Sequence, residues 1–138
     1  MVLNNEKGNG LLRWKEHNSD NYPFFFVGLP SVTITQTTYS VITGSNQQIP
    51  CFVSANPTAS AIGWTFRSAT SGTTVTITSS TSGYSIVTSS TSQSTLTVLA
   101  ADNNDEGTYT CQATNQVGNG SDSAFLDVTG SKFSTFRV

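Results

Sequence analysis

Apolar and polar residues alternate in short runs along most of this chain, and that period of two is what most restricts its fold. The runs are Ser31–Thr35, Ile49–Val53, Ile62–Phe66, Val75–Ile77, Leu96–Val98, Tyr109–Cys111 and Ala124–Val128. A two-residue period puts one set of side chains on each face of a strand, so each run reads as half-buried β structure. Thr and Val dominate the runs, and their stiff β-branched side chains suit a pleated surface better than a helix. Turn formers separate them: Gly44-Ser-Asn46, Asn56-Pro57, Ser71-Gly72, Ser82-Gly83, Asn103-Asn104 and Gly118-Asn-Gly120. Short strands at this spacing predict an all-β sandwich or barrel. Between Ser68 and Ser94 the Ser/Thr content resembles a mucin-like stalk, but Val75, Ile77, Tyr84, Ile86 and Leu96 keep the alternation and favour strands.

The charge pattern excludes several function classes. Only 10% of the 138 residues are charged, the net charge is −2, and 20 Ser and 22 Thr are present. No basic field exists to hold a phosphate backbone. The longest apolar run, Phe24 to Leu29, is far too short to span a membrane as a helix. The first 23 positions are mostly polar and lack the basic-then-apolar pattern of a secretory leader, so export relies on a signal outside this sequence or the chain stays inside the cell. Nucleophilic catalysis needs a base beside the nucleophile. With His17, in the polar lead, as the only histidine, no catalytic residues, metal ligands or cofactor are expected.

Composition divides the chain into a lead (1–29), a Thr/Ser/Val/Ile-rich middle (30–129) and a tail (130–138). Arg67 is the only cation of the middle, against Asp102, Asp105, Glu106, Asp122 and Asp127. In the lead, Leu11, Leu12 and Trp14 fit one turn of amphipathic helix, and Phe24–Val27 fits an added strand or a seam to a neighbouring domain.

Trp64 follows Cys51 by 13 residues, and Cys111 follows Cys51 by 60. Asp105-Glu-Gly107-Thr-Tyr109-Thr leads into Cys111, and Ala113, Asn115 and Gly118 come after it. With these coupled spacings, residues 30–129 resemble an immunoglobulin domain of the intermediate set. The resemblance implies a β-sandwich of two antiparallel sheets in Greek-key order, with Cys51 and Cys111 bonded between them and Trp64 against the bond. Closing so long a loop stabilises by roughly 4 kcal/mol in the chain-entropy model. Tyr109 takes the tyrosine-corner position, its hydroxyl bonding backbone upstream, and Asp105 and Gly107 shape the turn before it. Asp102–Gly107 also looks like half an EF-hand loop, but Ala113 stands where that loop needs a bidentate Glu, so a turn with solvated carboxylates is the better reading. Two departures matter. Pro50 has no N–H to give a central strand, implying a bulge, an edge or a broken ladder. No basic residue near Gly83 pairs with Asp105, as the variable set would have it, which leaves Asp105 to bond backbone or Tyr109.

By parity, Gly63, Thr65, Arg67, Thr108, Thr110, Gln112, Thr114, Phe125 and Asp127 share an outward face, and Phe52 points out of the opposite sheet. An aromatic and an Arg on a surface of low charge suit a protein partner or a homophilic dimer. Phe125, Arg67 and Gln112 are the expected partner-binding residues. Asn119-Gly-Ser121 is a glycosylation sequon, expected in the turn before the last strand, whereas Asn56-Pro-Thr58 is blocked by its proline. By resemblance, such domains occur in adhesion molecules, in receptor ectodomains including those of receptor tyrosine kinases, and in giant muscle proteins. The expectation is therefore an extracellular or cell-surface recognition module, with a structural array module inside a cell as the alternative.

Overall fold

In the computed structural model, which describes the backbone of residues 3–8, 11–16 and 26–130 and the side chains of 26–130, the alternating runs become strands of two facing sheets. The strands are β1 (Leu3–Gly8), β2 (Leu11–Glu16), β3 (Phe26–Gly28), β4 (Ser31–Ile34), β5 (Thr38–Ile42), β6 (Gln47–Ser54), β7 (Ala61–Ser68), β8 (Thr74–Ile77), β9 (Tyr84–Ser90), β10 (Gln93–Val98), β11 (Gly107–Thr114) and β12 (Asn119–Thr129). One sheet runs β4-β6-β10-β9 and the other β5-β12-β11-β7-β8. Every pair in them is antiparallel except β5 with β12, which is parallel.

Parity decides what is buried. Ile49, Cys51 and Val53 of β6, Trp64 and Phe66 of β7, Leu96 and Val98 of β10, and the odd-numbered residues Tyr109 to Ala113 of β11 fill the space between the sheets. Ala124, Leu126 and Val128 of β12 close it. Cys51 and Cys111 are bonded across the gap, with Cα atoms 6.4 Å apart. The Trp64 indole N–H donates to Ser94 Oγ at 3.1 Å, so the largest core side chain buries no unpaired donor.

The alternation at Thr38–Ile42 is real, with Tyr39 and Val41 inward, yet the sequence shows no boundary between it and β4. The chain changes sheets there, at Thr35-Gln36-Thr37, without a Gly or Pro to mark it. Pro50 explains how β6 tolerates the change. Val53 N–H donates to Ser92 of the β10 side, so by alternation position 50 would donate the other way, towards β4. The β4 ladder ends at the Ile34–Cys51 pair, one residue short of Pro50. Of the three expectations for Pro50, the broken ladder holds, and pairing with β10 runs through Thr95 without a register shift.

Three expectations need correction. Leu11, Leu12 and Trp14 lie in β2, in a three-stranded antiparallel sheet β1-β2-β3, and not in a helical turn. The last turn reverses over residues 115–118, so Asn119 opens β12 instead of sitting in the turn. The carboxylates of residues 102–106 are bonded to protein donors, as described below, and not merely solvated. Phe26 and Val27 do join an added strand, β3, whereas Phe24, Phe25, His17 and residues 131–138 lie outside the described residues.

Candidate partner-binding face

The outward surface of the five-stranded sheet is assembled by register. Phe125 pairs with Thr108 and Thr108 with Arg67, so the three stand in one row across β12, β11 and β7. Thr38 and Thr74 extend the row at either end. Phe125 and Arg67 are both exposed and leave the sheet on the same side. With strands about 4.8 Å apart, Thr108 holds them roughly 10 Å from each other. Among the described residues, no carboxylate pairs with Arg67. Gln112 is exposed but lies two rows away, paired with Gly63 and Ser121, so the structure brings Arg67 and Phe125 together and leaves Gln112 apart. The row between them is all hydroxyl: Thr65, Thr110 and Ser123, with the last two hydrogen-bonded at 2.8 Å. The Asn119 side chain is exposed, and its Oδ1 accepts from Thr114 Oγ1 at 2.8 Å.

One end of this sheet is fixed by a polar knot that the sequence announces. The Tyr109 hydroxyl, on a fully buried ring, donates to the Asp105 carbonyl at 2.8 Å, four residues upstream. Asp102 caps a single 3-10 turn, Asn103–Asp105: its Oδ1 accepts from Asn104 N–H, while Asp105 Oδ2 accepts from Asp102 N–H. Glu106 Oε2 takes the Val128 N–H at 3.4 Å. Asp105 thus bonds both backbone and Tyr109, the two partners expected for it, and a phenol stands where the variable set would have a cation. Tyr84, next to Gly83, donates its hydroxyl to Asp105 Oδ1 at 3.0 Å. Burial raises the pKa of both Tyr109 and Tyr84, with nearby Asp105 and Asp102 adding to the rise. Gly107 is required here by space: a Cβ would stand 2.2 Å from the Arg67 carbonyl oxygen.

The other end carries a second knot that sequence reasoning missed. Asn115 is only 5% exposed, and its amide donates to the carbonyls of Gly28, at 2.8 Å, and Pro57, at 2.9 Å. Its Oδ1 accepts from Val117 and Gly118 N–H. One side chain thus ties the entry of the chain into the sandwich to the loops after β6 and β11. Gly120 stands beside it, where a Cβ would lie 1.8 Å from the Pro30 carbonyl oxygen. Asp122 adds the last tie at this end, accepting the Ile34 N–H at 2.8 Å just before the chain changes sheets.

A family model described as immunoglobulin domain matches residues 30–115. No curated protein matches the chain. Among solved structures, the titin M4 domain is similar at 30% identity and a TM-score of 0.61, covering 75% of this chain and 98% of that one. The Dscam1 Ig7 domain, isoform 5, is similar at 25% identity and a TM-score of 0.60, covering 74% and 100%. A chimeric titin Z1Z2 is similar at 25% identity and a TM-score of 0.59, covering 72% and 95%.

Proposed function

The chain belongs to the immunoglobulin domain family, and from that premise we propose that it is a non-catalytic recognition module whose contact face is the outward surface of the five-stranded sheet. The observation that carries the reading is the row Phe125–Thr108–Arg67. An aromatic and an Arg stand on a background of small hydroxyls that resist approach very little. Arg and aromatic residues are over-represented where truncation costs interfaces most. A guanidinium with no carboxylate of its own is open to one from a partner, so the fitting partner is a protein surface with an apolar recess beside an acidic group. Gln112, being two rows away, belongs to the rim of such a contact. The Cys51–Cys111 bond and the exposed Asn119 sequon support a place outside the cell.

The test is a pair of substitutions read against stability. Phe125→Ser and Arg67→Ala should each weaken binding of a purified partner by about 2 kcal/mol or more while moving the unfolding free energy by less than about 0.5 kcal/mol. Loss of stability without a selective loss of binding refutes the face. The similarity to titin domains favours a second reading, a structural array module inside a cell. There the cysteines stay reduced. Non-reducing mass spectrometry of natively isolated protein separates the two: a bonded pair supports the first, two free thiols the second.

A further inference from the structure

The sandwich has two edges on the side of β8 and β9, and the β9 edge is open in a way that most edges are not. Leu99 N–H donates to the Gly83 carbonyl, and Val98 pairs with Tyr84, Leu96 with Ile86 and Ser94 with Thr88. By alternation, Gly83, Ser85 and Val87 turn their backbone groups towards β10. Tyr84, Ile86 and Thr88 turn theirs outwards, where no strand follows in the sheet. Natural edges are guarded by lysines, prolines, bulges or brevity. Tyr84-Ser-Ile-Val-Thr88 has no Pro, no Gly and no charge, and the bulge of β9, whose extra residue is Ser89, comes only after this segment. The guard is missing more widely too: from Ser68 to Ala101 there is no Asp, Glu, Lys, Arg or His. The other edges are short by comparison, with four residues in β4, five in β5 and four in β8.

We propose that this edge is a self-association site, in which Tyr84–Thr88 pairs antiparallel with the same residues of a second copy of this chain across a two-fold axis at Ile86. The register is self-complementary. Ile86 meets Ile86 of the second copy, and the two exchange both of their free backbone bonds. Each Tyr84 meets a Thr88, again between residues whose N–H and C=O are free. On the outer surface each Val87, 62% exposed and the most exposed large apolar residue described, meets a Ser85. Aromatic and β-branched residues facing each other across strands stabilise a pair, and like charges directly opposite destabilise it. An edge without any charge meets its own image with no repulsion, whereas it offers a foreign strand no charge to recognise. A two-fold contact uses the same patch twice and closes on itself. The surface is separate from the Phe125–Arg67 face, so both contacts can form on one molecule.

Charge reversal across the pair tests it. In S85K/V87K each Lys at 85 stands opposite a Lys at 87 of the second copy, and in S85E/V87E the same holds for Glu. Sedimentation equilibrium of the full chain should show a dimer for the native protein, at least about tenfold weaker association for each variant alone, and recovery when the two variants are mixed. Native-state amide exchange adds a signature that only this register gives. The amides of Tyr84, Ile86 and Thr88 should slow as concentration rises, while those of Ser85 and Val87 are protected throughout. A native protein that stays monomeric to millimolar concentration overturns the proposal, as does a dimer that survives in S85K/V87K. Phe125→Ser keeps this contact apart from the recognition face: a dimer lost in Phe125→Ser but kept in S85K/V87K places self-association on the five-stranded sheet and overturns the β9 edge.

Discussion

The two ends of the sandwich solve one problem with different materials. At each end a strand passes so close to another backbone that only glycine fits: Gly107 under the Arg67 carbonyl at one end, Gly120 under the Pro30 carbonyl at the other. At each end a buried polar side chain takes up backbone groups that the turns leave unpaired. Tyr109 does so by reaching four residues back, to Asp105. Asn115 reaches to Gly28 and Pro57, 87 and 58 residues away, as well as forward to Val117 and Gly118. The Tyr109 end therefore closes mostly on itself, with Tyr84 and Val128 as its distant members, whereas the Asn115 end holds three separate stretches of chain together. A local knot secures a corner; a long-range knot secures the assembly of corners.

The comparison can be broken most forcefully at the glycines. Gly107→Ala and Gly120→Ala should each cost about 3 kcal/mol, because the obstructing atom is backbone and cannot swing away. Chemical denaturation measures both, and a near-neutral result for either would show that its end can open without harm. Asn115→Ala comes next, at about 2–3 kcal/mol, since it leaves carbonyls and N–H groups in three segments without their partner. Amide exchange at Val117 and Gly118 should accelerate in it, with the Tyr109 end unchanged.

Smaller effects belong to the phenols. Tyr109→Phe should cost about 0.5–2 kcal/mol, and Tyr84→Phe less, because Asp105 keeps the Asp102 N–H as a donor and is partly open to water. A denaturation midpoint identical to the native one for Tyr109→Phe would remove the corner from the account. The ends should also part at high pH. Both tyrosines have pKa values raised by burial above the ordinary 10.0, so the folded state holds its protons more tightly than the unfolded one. The stability this gives is complete below about pH 10 and is lost as pH climbs beyond it, by up to about 1.4 kcal/mol per pH unit for each group. No titratable side chain takes part in the Asn115 bonds, so alkali should loosen the Tyr109 end first, and Tyr109→Phe should flatten the decline.

This difference in range also decides what could be read from the sequence. Tyr109 two residues before Cys111, with Asp105 and Gly107 just upstream, is a local spelling, and it predicts the corner correctly. Trp64 and the two cysteines are legible for a related reason: parity alone sends all three inward. Arg67 and Phe125 share a side by the same parity, but that Thr108 separates them, and that Gln112 stands apart, depends on how β7, β11 and β12 slide past each other. For Asp105 the sequence offers backbone or Tyr109, and both bonds form, but the Tyr84 hydroxyl arrives from 21 residues away with no local sign of it. The Asn115 knot is local only in its bonds to Val117 and Gly118; that Gly28 and Pro57 arrive beside it is written nowhere near any of the three. The free edge of β9 has a sequence signal after all, the uncharged stretch from Ser68 to Ala101, but it signifies an edge only once the order of strands is known.

The first strand of the sandwich, divided between two sheets at Thr35–Thr37, is also divided in time. A chain made from its N-terminus can pair β4 as soon as β6 is complete at Ser54, whereas β5 must wait for Thr129. That interval is about 75 residues, or roughly 4–15 s at ordinary rates of synthesis. Throughout it Tyr39 and Val41, inward in the finished protein, have no partner strand to cover them. Nascent chains arrested just before β12 should be cut by protease near Thr38–Ile42 and spared at β4, and those arrested beyond it should be spared at both. The sandwich's last strand to emerge from the ribosome is the one that fastens part of its first.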